Sequence, residues 1–173
     1  MMEIYFRAFE PEDYKLTQKW RNDREITDSL GGNTFYVSER REKDWVEKIT
    51  NSDRENLYLA ICLCENKQLV GFCSLTSIDL LNRKAELSIV IGERSLQGKG
   101  IGKKSVIKLL SHGFEELNLN KIWLKVLAAN QRAINLYTQC GFYKEGLLRQ
   151  DLFKNNKYHD VIIMSILNSE YNA

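Results

Sequence analysis

Gln97-Gly98-Lys99-Gly100-Ile101-Gly102 is the segment whose residue types and spacing speak most directly of chemistry. It lies between the apolar run Leu87-Ser88-Ile89-Val90-Ile91 and the helix-patterned run from Gly102 to Leu110. A strand, a glycine-rich turn and a helix start, in that order, build an anion cradle. Glycines let the backbone approach a ligand, and amides at a helix N-terminus have no intrahelical acceptor and point outward. The chemistry implied is capture of a phosphorylated cofactor. Lys99, Lys103 and Lys104 either add positive charge beside the phosphates or form an ordinary basic helix start facing water. The spacing Gly98-x-Gly100-x-Gly102 is not the dinucleotide fingerprint, which also opens a chain's first strand–helix unit. No Gly-Lys-Ser or Gly-Lys-Thr follows the turn, so nucleotide hydrolysis is not indicated.

The elements that must position this turn read clearly along the chain. Ile4 to Phe9 is an opening strand, and Glu10-Pro11-Glu12-Asp13 starts a helix through Tyr14, Leu16 and Trp20. Gly31-Gly32 breaks the pattern, and Ser38 caps a second helix carrying Trp45, Val46 and Ile49 at helical spacing. Leu57 to Cys64, Leu69 to Ile78 and Ala85 to Ile91 form a meander of strands with short connections. The period then changes: Ile101 to Leu117 is helical, with Val106, Leu109, Leu110, Phe114 and Leu117 on its inward stripe. Lys121 to Val126 returns as a parallel strand, and Asn130 to Gln139 is a helix stopped by Gly141. Two final strands are expected at Phe142 to Arg149 and Asp160 to Leu167. The whole is α+β, one domain over residues 1–173, with a right-handed strand–helix–strand crossover.

Composition narrows the classes. The chain has 173 residues, 43% apolar and 28% charged, which suits a packed globular core. A net charge of +2 and the lack of a basic–aromatic platform give no reason to expect nucleic-acid binding. Cys62, Cys64, Cys73 and Cys140 read as reduced, partly buried thiols, and with only His112 and His159 available no metal site is expected. No apolar run approaches the roughly 18 residues of a membrane-spanning helix, and no secretory segment is read, so a cytoplasmic location is expected.

A set of motifs in fixed order resembles the GCN5-related N-acetyltransferase superfamily. They are Ala85-Glu86-Leu87-Ser88-Ile89-Val90-Ile91, the Gln97–Gly102 turn, Asn130-Gln131-Arg132-Ala133-Ile134-Asn135-Leu136-Tyr137, and Gly141-Phe142. Phe6-Arg7 near the start and Gly146-x-x-Arg149 through Asp160 near the end extend the likeness over nearly the whole chain, toward the ribosomal-protein N-terminal and spermidine acetyltransferase branch. The resemblance implies a mixed, mostly antiparallel sheet with helices on both faces, acetyl-CoA as cosubstrate and a primary amine as acceptor. It implies that the strand at Leu87–Ile91 diverges from that at Ile122–Val126 near a bulge, with pantetheine in the opening against Ile89, Val90 and Ile91. The pyrophosphate would sit over Gln97, Gly98, Lys99, Gly100, Ile101 and Gly102, with Lys103 beside it, and Asn130 would organise the pantetheine region or cap its helix.

The resemblance also assigns roles in a direct, ternary-complex transfer. Tyr137 would protonate the departing CoA thiolate, and Glu86 would act as base, by itself or through water. Strand alternation places Glu86, Ser88 and Val90 on one face, opposite Leu87, Ile89 and Ile91, so Glu86 either faces the acceptor or balances Arg83 or Lys84. Cys140 is structural, since no acyl-enzyme is needed. The acceptor would enter between Trp20, Arg21, Asn22, Glu25, Phe35 and Tyr36 on one side and Tyr143, Arg149, Phe153, Lys154, Tyr158 and His159 on the other. A ribosomal-protein N-terminal amine is the first reading, with polyamines and amino sugars as alternatives, and a noncatalytic acyl-CoA sensor as a further one. A monomer or a homodimer formed through the sheet edge or helices fits the sequence.

Overall fold

A computed structural model of the chain describes residues 2–31, 35–51 and 55–171, so Gly32 of the expected helix break lies outside the described residues. Seven strands form a single sheet in the order β1-β2-β3-β4-β5-β7-β6. They are β1 (Ile4–Arg7), β2 (Leu57–Leu63), β3 (Leu69–Asp79), β4 (Lys84–Ile91), β5 (Lys121–Leu127), β6 (Tyr143–Lys154) and β7 (Lys157–Leu167). Every neighbouring pair is antiparallel except β4 and β5. The helices are α1 (Tyr14–Asn22), α2 (Arg24–Thr27), α3 (Glu39–Thr50), α4 (Ile101–Ser111) and α5 (Gln131–Gln139).

The two-residue period of the strands divides the apolar side chains into two cores. Ile61, Leu63, Cys73, Leu75, Ala85, Leu87, Ile122 and Leu124 pack with Val106, Leu109 and Leu110 of α4 on one face. Ala60, Cys62 and Phe72 pack with Phe9, Trp20, Ile26, Val46 and Ile49 on the other. Helices therefore cover both faces, as the resemblance implies. Two ties secure the α1–α3 layer. Ser38 Oγ accepts from Arg41 N at 3.2 Å, capping α3, and buried Glu42 pairs with Arg21 Nε at 2.9 Å. The Arg21 guanidinium also lies 4.1 Å above the Trp45 ring.

Two elements differ from the sequence expectation. The long helix stays α-helical only to Ser111, and His112–Glu116 forms a π turn. Gly113 explains it: a Cβ there would come within 2.6 Å of Ile122 Cδ1, so the chain presses bare backbone against β5 while Phe114 stays buried. The last strands are also longer than expected, meeting at an Asn155-Asn156 turn whose φ values of 50° and 61° are those of a type I′ hairpin. β6 is an edge strand with mostly exposed side chains, so alternation of apolar and polar residues is weak there.

Candidate active site

The opening comes from the parallel pair. β4 and β5 are paired only through Lys84↔Lys121, Ala85↔Ile122 and Glu86↔Trp123. Beyond Glu86, β4 stays in register with β3 as far as Ile91, while β5 stays with β7 as far as Leu127. Each strand follows its antiparallel neighbour and the two separate. The register shift of the β3–β4 pair lies between Thr76 and Asp79 of β3, opposite Lys84–Glu86, the stretch of β4 still paired with β5. Along Leu87–Ile91, alternate residues turn N–H and C=O groups toward a gap with no strand in it. These include the Ile89–Ile91 stretch expected to meet pantetheine.

The glycine turn sits at the wide end. Gln97 Nε2 donates to Ile91 O at 2.9 Å, latching the turn to the end of β4. Gly98 and Gly100 hold φ of 81° and 84°, the left-handed region open to glycine at little cost. Gly100 is the N-cap of α4 with no capping side chain. The first helical bond runs from Lys104 N to Gly100 O at 3.1 Å. The amides of Ile101, Gly102 and Lys103 ahead of it have no protein acceptor among the described residues. That is the donor set an anion requires.

The lysines divide. Lys99 and Lys103 are exposed, with Lys103 Nζ 3.4 Å from Gln139 Oε1. Lys104 is committed elsewhere: its ammonium bonds Met2 O at 2.8 Å and Glu3 at 2.5 Å, tying α4 to the first strand. The fold also supplies a cation the sequence reading passed over. An Arg132 Nη2 lies 3.6 Å from where a Cβ on Gly98 would project. Only the packing of α5 beside α4, with Leu136 Cδ1 3.1 Å from the Cβ position of Gly102, brings it there.

Tyr137 and Glu86 lie on opposite faces of the sheet with the opening between them. Tyr137 is 8% exposed in the α4-side core, its ring 5.6 Å from that of Phe142. Burial, with a smaller contribution from Cys140, pushes its hydroxyl up to about 12. The hydroxyl has no hydrogen-bond partner among the described residues and stays protonated at neutral pH. Glu86 lies at the divergence point, half-buried, on the face that carries Ser88 and Val90. Ser88 Oγ is 2.8 Å from Ser74 Oγ, and Val90 packs against the second core. Asn130 is occupied by the protein: Oδ1 accepts from Ala133 N at 3.1 Å, and Nδ2 donates to Ser29 O at 2.8 Å. It is the helix cap, with both side-chain ends engaged.

Of the acceptor-side residues, Arg21, Asn22, Phe35, Tyr36 and Lys154 come together around a cavity of about 100 Å³, with Arg24, Thr27, Asp28 and Asn155. Trp20 does not reach it: it is buried against Gly92, where a Cβ would fall 1.9 Å from the indole. Glu25 pairs with Arg94. Tyr143, Phe153 and Tyr158 are exposed along the hairpin, and His159 Nε2 is 3.1 Å from Lys154 O. Among the described residues no cluster of His, Cys, Asp or Glu could hold a metal, and no helix is long and apolar enough to cross a membrane.

Comparison with known proteins places this geometry. Residues 3–143 match the family profile described as acetyltransferase (GNAT) domain. The spermidine N(1)-acetyltransferase of Vibrio cholerae serotype O1 is 33% identical over 98% of this chain and 95% of its own. A crystal structure of the Vibrio cholerae spermidine N-acetyltransferase with CoA and spermine superposes with a TM-score of 0.90, at 32% identity over 97% of each chain. YdaF of Bacillus subtilis, provisionally named a ribosomal N-acetyltransferase, is 35% identical over 60% of this chain and 56% of its own.

Proposed function

The chain belongs to the GNAT acetyltransferase family and is an acetyl-CoA-dependent N-acetyltransferase; from that premise we propose that its acceptor is a polyamine of the spermidine type. The observation that carries the acceptor is the near full-length likeness, in sequence and in shape, to an enzyme named for spermidine and crystallised with spermine. The likeness to the ribosomal N-acetyltransferase covers only 60% of the chain, which puts the N-terminal amine behind the polyamine.

The site residues support a direct transfer. The unpaired amides of Ile101, Gly102 and Lys103, with Lys99, Lys103 and Arg132 nearby, fit a pyrophosphate. The edge of β4 left without a strand partner past Glu86, along Ile89 and Val90 to Ile91, whose carbonyl accepts from Gln97, fits the amide groups of pantetheine. The amine arrives as an ammonium, and for a group of pKa near 10.4 the neutral form at pH 7 costs roughly 4.6 kcal/mol. Glu86, at the divergence point, takes that proton directly or through water. The amine nitrogen then bonds to the thioester carbonyl carbon, the C–S bond breaks, and the leaving thiolate takes the Tyr137 hydroxyl proton. The second proton, shed by the acylated nitrogen, returns through water to the tyrosinate, so that the net proton released is the one Glu86 passes to solvent. A hydroxyl pushed up to about 12 keeps its proton at neutral pH, so the donor is loaded before reaction. As a weaker acid than a thiol, it releases that proton only as the nitrogen's proton replaces it. Residues 1–173 act as one catalytic domain in this reading.

One observation favours a second acceptor. The cavity beside α2 is lined by Arg21, Arg24 and Lys154 against Asp28; with Arg21 paired to Glu42 and Lys154 held by two carbonyls, Arg24 is the cation left to attract an anion. An amino sugar carrying phosphate would exploit it. Turnover of acetyl-CoA against spermidine, a free and a phosphorylated amino sugar, and a ribosomal-protein N-terminal peptide, with mass detection of product, decides the matter. Preference for spermidine is expected. Preference for the phosphorylated sugar moves the acceptor to the cationic cavity, and acetylation of the peptide alone refutes both.

A further inference from the structure

The segment 23–30, with α2 at its centre, touches residues that lie just past the ends of both diverging strands. On the β4 side, Arg94 stands three residues beyond Ile91 and reaches Asp23 at 3.9 Å and Glu25 in a closer ion pair. On the β5 side, Asn130 stands three residues beyond Leu127 and donates to Ser29 O at 2.8 Å. From the hairpin tip, Lys154 donates its ammonium to Thr27 O and, at 2.8 Å, to Leu30 O. Asn155 Nδ2 adds a contact to Asp28 Oδ1 at 3.3 Å. A helix of one turn does not hold itself in water, because nucleation costs more than its few bonds return. These outside ties, together with Ile26 packed in the second core, therefore set where α2 sits.

We infer that segment 23–30 is a bridge fastened across the wide end of the β4–β5 opening, and that Lys154 is the positioning residue that holds its far end over the acceptor's approach. The inference rests on the reading that transfer takes place in that opening, and it does not depend on which amine is used. Lys154 is only 5% exposed, an unusual place for an ammonium. Burial lowers its proton affinity and nearby Asp28 partly restores it. The two carbonyls it serves are what keeps so buried a charge in place. The bridge also supplies Arg24, Thr27 and Asp28 to the cavity wall, facing Lys154 and Asn155. Loosening one fastening should widen that wall without disturbing the glycine turn, which is latched separately through Gln97.

The test is Lys154→Met, which keeps an unbranched buried stem and removes the donors, beside Lys154→Arg, which can still donate to both carbonyls. Arg94→Gln, at a half-exposed position, releases the other end with little risk to folding. Kinetics use acetyl-CoA and whichever amine the acceptor panel selects. The expected result for Lys154→Met and Arg94→Gln is a rise of tenfold or more in acceptor KM, with acetyl-CoA KM within twofold of wild type. Lys154→Arg should recover most of the loss. Amide hydrogen exchange over residues 24–30 should quicken at least tenfold in both loosened variants, while the β5–β7 ladder keeps its protection. Because exchange needs no acceptor, failure of the polyamine reading leaves this arm intact. Unchanged exchange in both variants overturns the bridge even if spermidine is the substrate. Faster exchange with unchanged acceptor KM, or an equal rise in both KM values, overturns the positioning role.

Discussion

Replacing Gly100 by alanine isolates the conformational demand of the phosphate turn. Gly100 holds φ of +84°, and an added Cβ would meet nothing within 4 Å. The methyl group therefore adds backbone strain without a clash. An L-residue in the left-handed region costs roughly 1–2 kcal/mol. If the turn keeps its shape, stability falls by that amount, a drop of about 2–8 °C in Tm for a chain of this length. If the turn relaxes, the amides of Ile101, Gly102 and Lys103 lose their aim and acetyl-CoA must restore it. Affinity then falls by a factor of about 5–30, the equivalent of the same energy. Gly146 provides the control, since its Cβ position is also open and its φ is not in the left-handed range. Gly146→Ala should stay within about 0.5 kcal/mol of wild type. Thermal melts and calorimetric titration with acetyl-CoA on the three proteins read both routes at once. The reasoning is refuted if Gly100→Ala matches wild type in Tm and affinity, or if Gly146→Ala is equally costly.

The same comparison of paired proteins tests the two proposed proton carriers. Tyr137→Phe should lower kcat far more than it raises acetyl-CoA KM, and near-normal kcat would remove the hydroxyl from the mechanism. The Tyr137 hydroxyl, pushed up to about 12, also has an alkaline signature. Between pH 10 and 12 the folded chain keeps a proton that the unfolded chain releases. This stability is fully present below pH 10 and is lost as pH rises through 12, on the order of 3 kcal/mol for two pKa units. Denaturant unfolding from pH 9 to 11 should therefore fall more steeply in wild type than in Tyr137→Phe, and parallel curves would contradict the burial argument. Glu86→Gln should cut kcat by about 10²-fold or more and remove the limb of the pH–rate profile that reports the base. An unchanged profile would place the base elsewhere.

Much of the molecule was legible along the chain because its signals are local. Val106, Leu109 and Leu110 mark one helix face, Ile61 and Leu63 alternate with Ala60 and Cys62, and Gly98 and Gly100 announce a turn that other residues resist. The strand–turn–helix order was enough to locate the glycine turn at the start of α4, and the spacing of the Glu86, Gln97–Gly102 and Asn130–Tyr137 blocks was enough to suggest the family. The π turn at His112–Glu116 was not legible, because it answers to the distance between Gly113 and Ile122, a contact made across the sheet.

The sequence by itself therefore determined which residues form strands and helices, which faces they bury, and where a glycine turn opens a helix. Periodicity and glycine chemistry act over a few residues and need no knowledge of the rest of the chain. Only the tertiary structure decided that β4 and β5 part after Glu86, since each follows a different antiparallel neighbour. Folding likewise brought Arg132 to Gly98, engaged both ends of Asn130, and carried Lys154 to Thr27 and Leu30 across more than a hundred residues of chain. Those contacts join segments with no shared local pattern. They exist because packing helices on both faces of one sheet sets distant segments side by side.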